Sequence, residues 1–284
     1  MRIILFTLLT AGLLQAQSIQ QLIDQSIKRH TSLKTIQHRL SAMDERIEES
    51  QNFSNPDLSF TINDIQFDDP FDRDLEPMQF NAINVKQKFP WYGKLDAKES
   101  FTKAQKDLIV DSYEVAKITL AKEIRMASYT MKEFEERIRI VKQYKAVAQQ
   151  NIELYTSYAS TENRSHTSMM AASLMLAKIK IKYERYTMIL KNQKAKLKYL
   201  VQSDVSKISD PLEIKRPKSL ESYLSKSQNN LNYHMKLSEQ NIAEANKVIE
   251  DLSITPDPYL NVGYYNRSEF PDFVSVTVGV SLPL

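Results

Sequence analysis

The sequence predicts a mainly α fold with a small β part: a long coiled-coil-like helical hairpin and four amphipathic strands, ordered by an internal helix–strand–strand–helix duplication. Three observations carry this. Apolar residues from Leu120 to Ala159 recur three and four apart, with no proline or glycine among them. Four segments elsewhere alternate apolar and polar residues, the period of a half-buried strand. The third observation is repetition. Phe80, Ile83, Val85, Phe89 and Pro90 align in order with Phe273, Val276, Val278, Leu282 and Pro283, and Pro56-Asp57-Leu58-Ser59-Phe60 is echoed by Pro258-Tyr259-Leu260-Asn261-Val262. Internal duplication outranks local propensity as a fold signal.

The composition narrows the classes. With 284 residues the chain forms one large domain or two small ones. Leucine, isoleucine and valine are ample, which argues against disorder. Only 4 glycines occur, too few for a fold with many tight turns. The net charge of +3 is spread along the chain and demands no nucleic-acid partner. There is no cysteine, hence no disulfide framework, thiolate metal site or lipid-bearing cysteine.

Residues 1–16 read as a signal peptide. Arg2 is followed by a short apolar run and by Ala16 at the cleavage position, so the mature chain starts near Gln17. An uncleaved anchor is the alternative, but the run is too short for a comfortable span. Beyond it the expected division is a first repeat over 17–203, a linker over 204–218 and a partial second repeat over 219–284.

A helix is predicted over 19–51, where Leu22, Ile23, Ile27, Leu33, Ile36, Leu40, Met43 and Ile47 fall at helical spacing. Asn55-Pro56 stops it. Leu58, Phe60 and Ile62 open the first strand, predicted over 58–67. An acidic connection follows, with Asp64, Asp68, Asp69, Asp72, Asp74 and Glu76. It reads as a solvated loop, because its spacing fits no recognised cation-binding loop. The second strand, 80–89, sets Ile83, Val85 and Phe89 against Asn84, Lys86 and Lys88. Pro90, Trp91, Tyr92 and Gly93 then hand over to the longest helix, 93–160. Its seam of Leu120, Ile124, Ala127, Met131, Phe134, Ile138, Val141, Ala148, Ile152, Tyr155 and Ala159 has the heptad mean of about 3.5 residues. Its length at 1.5 Å per residue is roughly 100 Å.

Polar residues over 161–167 break that pattern at a hairpin tip. The returning helix, to about 202, bears two stripes. One contains Leu176, Ile179, Tyr183, Tyr186, Leu190, Leu197 and Leu200, the other Met170, Leu174, Ala177, Ile181, Met188 and Ala195. Two stripes imply neighbours on two sides, as in a ring of helices. A helix over 219–250 leads to strands at 259–265 and 273–282, the last with the cleanest alternation in the chain.

Catalytic chemistry is absent from the pattern. His30, His38, His166 and His234 are scattered without metal-ligand spacing or a nucleophile, and no phosphate-cradling glycine loop occurs. Met169, Met170, Met175 and Met188 stand at helical spacing and read as packing rather than soft-metal ligands. No catalytic, cofactor-binding or metal residue is assigned, and no cofactor. The strands carry the functional signal. Each is long enough to cross a bilayer when tilted, with one apolar face and alternate positions that are small or polar, as in a share of an outer-membrane β-barrel. Phe89, Trp91 and Tyr92 stand where an interfacial aromatic belt would lie. The other reading of these strands is a small soluble sheet capping a coiled coil.

Taken together, Asn55-Pro56-Asp57-Leu58, Gln87-Lys88-Phe89-Pro90 with Gly93-Lys94-Leu95, the long hairpin, the duplication and Gly279-Val280-Ser281-Leu282-Pro283-Leu284 resemble the TolC family of outer-membrane efflux proteins. The resemblance implies a homotrimer whose protomers each lend four strands to one barrel in outer-membrane lipid. The helices continue as a periplasmic tunnel. Export of small molecules or metal ions is passive, powered by an inner-membrane pump through a periplasmic adaptor. The adaptor would meet the hairpin tip at Ser160, Thr161, Asn163, Arg164 and Ser165. The Phe-Pro-x-x-Gly-Lys-Leu form is similar to branches serving metal-ion and drug efflux. Three departures stand out: the tip has no glycine, no cysteine carries a lipid, and no second helical hairpin follows the fourth strand. Gating carboxylates therefore map to no residue here, and the expected product is truncated or split. The competing class is a periplasmic coiled-coil adaptor or scaffold without a pore.

Overall fold

The computed structural model describes residues 17–68, 70–159, 166–205, 207–213, 216–217 and 219–282. The helices are α1 (Ile19–Arg29), α2 (Thr31–Ser50), α3 (Lys94–Ala159), α4 (His166–Val201), α5 (Leu220–Leu224) and α6 (Leu231–Ser253). The strands are β1 (Asp57–Asn63), β2 (Phe80–Lys88), β3 (Asp257–Asn266) and β4 (Phe273–Ser281). The expected leader, residues 1–16, lies outside the described residues. The chain divides into two units, one combining the residues up to Ile36 with Tyr113–Ser227, the other Gln37–Ser112 with Gln228–Leu284.

The first unit holds the main apolar core. α1 starts at a capping box, in which the Ser18 side chain accepts from the Gln21 amide while the Gln21 side chain accepts from the Ser18 amide. Ile19, Leu22 and Ile23 then bury against Leu120, Ile124, Ala127 and Met131 of α3 and Leu197, Leu200 and Val201 of α4. Burial of each large side chain is worth about 1.5–3 kcal/mol. Further along the hairpin Phe134 meets Tyr186 edge to face at 5.4 Å, with the Arg137 guanidinium over both rings. Lys196 bonds Glu123 at 2.5 Å.

Three helix boundaries differ from those expected. The helix predicted over 19–51 breaks at His30, whose backbone is extended. His30 is buried, its Nδ1 accepts from the Ser32 amide, and its ring meets Tyr199 edge-on, so the break is held by specific contacts. The helix predicted over 219–250 divides into α5, a 3-10 turn and α6, because the Asn230 side chain accepts from the Asn232 amide and caps a new start. The pattern break expected over 161–167 ends earlier, since α4 already begins at His166. The stretch expected as a linker is also stitched down where described. Gln17 exchanges backbone bonds with Lys207 and Ser209, Asp210 accepts from the Ile19 amide at 2.6 Å, and Ile208 joins the core.

The second unit is built on one antiparallel sheet in the order β1-β2-β3-β4. Its helices are tied by polar contacts: Lys106 to Asp44, Ser238 to Asp111 and Gln51 to Glu99, each 2.6 Å. β1 is shorter than the predicted 58–67. Asp64 takes φ 58° and ends the strand, and Arg73 donates to the carbonyls of Asn63, Asp64 and Phe80, drawing the acidic loop back onto the strand ends. Gln79 is buried beneath the loop, donating to the carbonyls of Asp64 and Asp72.

Leu197→Ala should cost about 2–5 kcal/mol, read as a lowered urea midpoint by circular dichroism, because a fully buried isobutyl group is removed. The hydrogen bond and charge of Lys196 hold the Glu123 carboxyl below its ordinary value. Its stabilisation is therefore complete above that ordinary value and is lost as pH falls through the depressed one. Glu123→Gln should flatten this part of the acid transition, checked by repeating the denaturation across the carboxylate range.

Candidate functional site

The register places one uninterrupted apolar face across all four strands. Leu58, Val85, Val262 and Val276 form one cross-strand row, and Phe60, Ile83, Tyr264 and Val274 the next. Leu260 and Val278 extend it. All ten of these side chains are exposed, Val278 by 76%. A four-stranded sheet with ten large side chains exposed on one face has that side turned to its surroundings rather than to a core.

The opposite face is mostly polar and small, with Ser59 and Thr61 on β1, Asn84, Lys86 and Lys88 on β2, Asn261 and Gly263 on β3, and Ser275, Thr277 and Gly279 on β4, and with Phe80 and Phe273 packed around Tyr265 at one end. Two tyrosines lie flat on it. A Cβ at Gly279 would fall 2.4 Å from the Tyr259 ring, and one at Gly263 would fall 2.7 Å from Tyr265 and 2.2 Å from Asn84. Tyr265 also stacks on Phe273 at 4.6 Å and donates to Asn84. Glycine inside a strand marks such a close approach.

The strand-to-helix junction joins distant parts of the chain. Gly93, at φ 85°, turns the backbone into α3, and its carbonyl accepts from Ala97. The Lys94 ammonium bonds Asp257 at 2.8 Å and the Thr255 carbonyl at 2.7 Å, and Asp257 also accepts from the Trp91 amide. Phe89 donates its amide to Pro258 and packs edge to face on Phe53 at 5.6 Å. A cleft of about 450 Å³ beside it is lined by Phe53, Pro90, Lys94, Lys98 and Asp257.

Of the residues singled out from the sequence, Pro90, Trp91, Tyr92 and Gly93 occupy this turn, with Tyr92 90% exposed and Trp91 half exposed. Ser160, Thr161, Asn163, Arg164 and Ser165 lie outside the described residues. On α4 the stripe ending at Leu197 and Leu200 turns inward, whereas Met170, Leu174, Ile181 and Met188 are exposed. Among the described residues, no group of three or more histidine, aspartate or glutamate side chains is arranged to hold a metal, and no helix is long and apolar enough to cross a membrane. Sequence reading missed Asp257 and Gly263, and gave Gly279 only as part of a motif without its contact to Tyr259. In a chain with 4 glycines, two inside successive strands were the available signal.

The outer membrane efflux protein profile matches residues 22–199, more than half of the chain. The chain belongs to that family. No curated protein matches it in sequence. Three solved structures share its fold: CusC, whose study concerns folding and transmembrane channel formation (TM-score 0.71, 11% identity), the CmeC outer membrane channel of Campylobacter jejuni (0.74, 12%) and the outer membrane protein VceC of Vibrio cholerae (0.71, 15%). They cover 95%, 94% and 94% of this chain, which spans 66%, 61% and 68% of theirs. The TolC-family resemblance carried by the motifs thus holds.

Gly93→Ala should cost about 1–2 kcal/mol, because an L side chain is strained at that φ. Asp257→Ala should cost about 1–3 kcal/mol by leaving the Lys94 ammonium and the Trp91 amide without their carboxylate. Trp91 is the only tryptophan in the chain, so its fluorescence reports loosening at this turn in both variants.

Proposed function

We propose that this protein is an outer-membrane efflux channel component. Its four strands form one protomer's share of a closed barrel, and its helical hairpin reaches into the periplasm. The continuous exposed apolar face of the sheet carries this reading. In water such a face is a liability, whereas facing hydrocarbon it needs no cover. The sheet edges support assembly with further copies, since a bilayer offers no partners to unpaired strand edges and a spanning sheet must close. The homotrimer of the family supplies that closure.

Transport in this reading is passive, taking small molecules or metal ions outward, with energy from an inner-membrane pump reached through a periplasmic adaptor. The turn at Pro90, Trp91, Tyr92 and Gly93 is the barrel-to-helix transition, and its exposed aromatics suit a membrane interface. The tip around Ser160, Thr161, Asn163, Arg164 and Ser165 is the adaptor-facing end. The exposed second stripe of α4 suits a neighbouring helix in the assembly. The two strand pairs, each preceded by a long helix, are the two halves of the duplication. An adaptor or scaffold without a pore would leave the apolar sheet face unexplained.

The decisive comparison is Val276→Arg against Thr277→Arg. The first places charge on the proposed lipid face and should cost about 2–4 kcal/mol near mid-membrane, with loss of heat-modifiable trimers from outer-membrane fractions. The second should assemble normally. Equal behaviour of the two variants, or a water-soluble monomeric wild type, would refute the reading.

A further inference from the structure

The polar face of the sheet carries a specific charged arrangement. Asp257 is occupied by Lys94 at 2.8 Å. Lys86 stands opposite Asp57 in the β1–β2 register, yet its ammonium turns across the sheet to lie 4.2 Å from the centroid of the Tyr259 ring. Lys88 follows two residues later on the same face and is exposed. Lys88 lends its charge to Asp257 beside Lys94, and the carboxylate opposite Lys86 is Asp57.

The tyrosine platform is built rather than incidental. Tyr259 pairs directly with Gly279, and any side chain there would collide with the ring. The absent side chain lets the ring lie flat, and the flat ring presents its π-face to Lys86. A cation on an aromatic face is held by the ring's quadrupole. The ammonium has three donors, and the ring takes the charge without using up all of them. A half-buried cation held in this way on an otherwise polar wall suits a mobile anion, and the ring beside it suits the flat apolar part of an organic one.

We propose that Lys86, seated on Tyr259, is a lumen contact for anionic solutes and biases the pore toward anions. This rests on the barrel reading above, in which the polar face lines the lumen. Rings of side-chain charge set ion preference in pores, and lumen substitutions tune it. The acidic residues of the loop over 64–79 bias the mouth the other way, so the proposal concerns the change on altering Lys86 rather than the absolute preference.

The experiment is the reversal potential of the purified full chain in planar bilayers under a KCl gradient, for wild type, Lys86→Arg, Lys86→Gln and Lys86→Glu. The chloride-to-potassium permeability ratio should fall about twofold from wild type to Lys86→Gln and about twofold again to Lys86→Glu. Lys86→Arg should keep the wild-type ratio. Conducting channels with an unchanged ratio in Lys86→Gln and Lys86→Glu would overturn this inference and leave the channel reading standing. Channels from Lys86→Arg but none from Lys86→Gln would make Lys86 a structural residue and equally overturn it. No conductance from wild type would overturn both readings.

Discussion

A strand presents its backbone donors and acceptors edgewise, and they must be paired wherever water is excluded. That constraint governs this chain. Within the sheet the ladder is complete from β1 to β4, and the side chains sort into an apolar face and a mostly polar one. At β1 and β4 the ladder ends. In the proposed channel the apolar face meets hydrocarbon, and hydrocarbon forbids open edges, so that reading carries with it further copies to close the sheet.

The two units are held together differently. The helical one buries Leu22, Ile124, Met131 and Leu197 completely or nearly so and behaves as an ordinary water-facing core. The sheet unit buries few large residues and is held by pairs such as Lys94–Asp257 and Lys106–Asp44. A helical unit stabilised by burial and a sheet unit stabilised by polar contacts would respond differently to salt, because exposed ion pairs are screened whereas apolar burial is not.

Much of this was legible before any coordinates. The alternation of Val274, Val276, Val278 and Val280 has one period and one interpretation, and the seam from Leu120 to Met131 is buried as its spacing requires. What escaped was non-local. Lys94 and Asp257 are 163 residues apart, and nothing near either announces the other. His30 sits in a helical pattern, and the break there depends on Tyr199, from another helix. The first strand looked longer because Ile65 and Phe67 are apolar, although they fall out of phase with Leu58, Phe60 and Ile62; Asp64 ends it at φ 58°, and Arg73, far along the loop, holds that end. Periodicity reports which face a residue shares, and it is silent on which distant residue meets it.

The handover at Gly93 has a consequence for how this gene can drift. Upstream of it the chain counts in twos, and deletion of one residue from β2 would turn Lys86 onto the apolar face of the sheet and Val85 onto the polar one. Downstream the chain counts in threes and fours, and the same deletion would swing the α3 seam by little more than a quarter-turn, a displacement that neighbouring apolar positions can partly absorb. Small insertions and deletions should therefore survive in even numbers on one side of a single glycine and far more freely on the other.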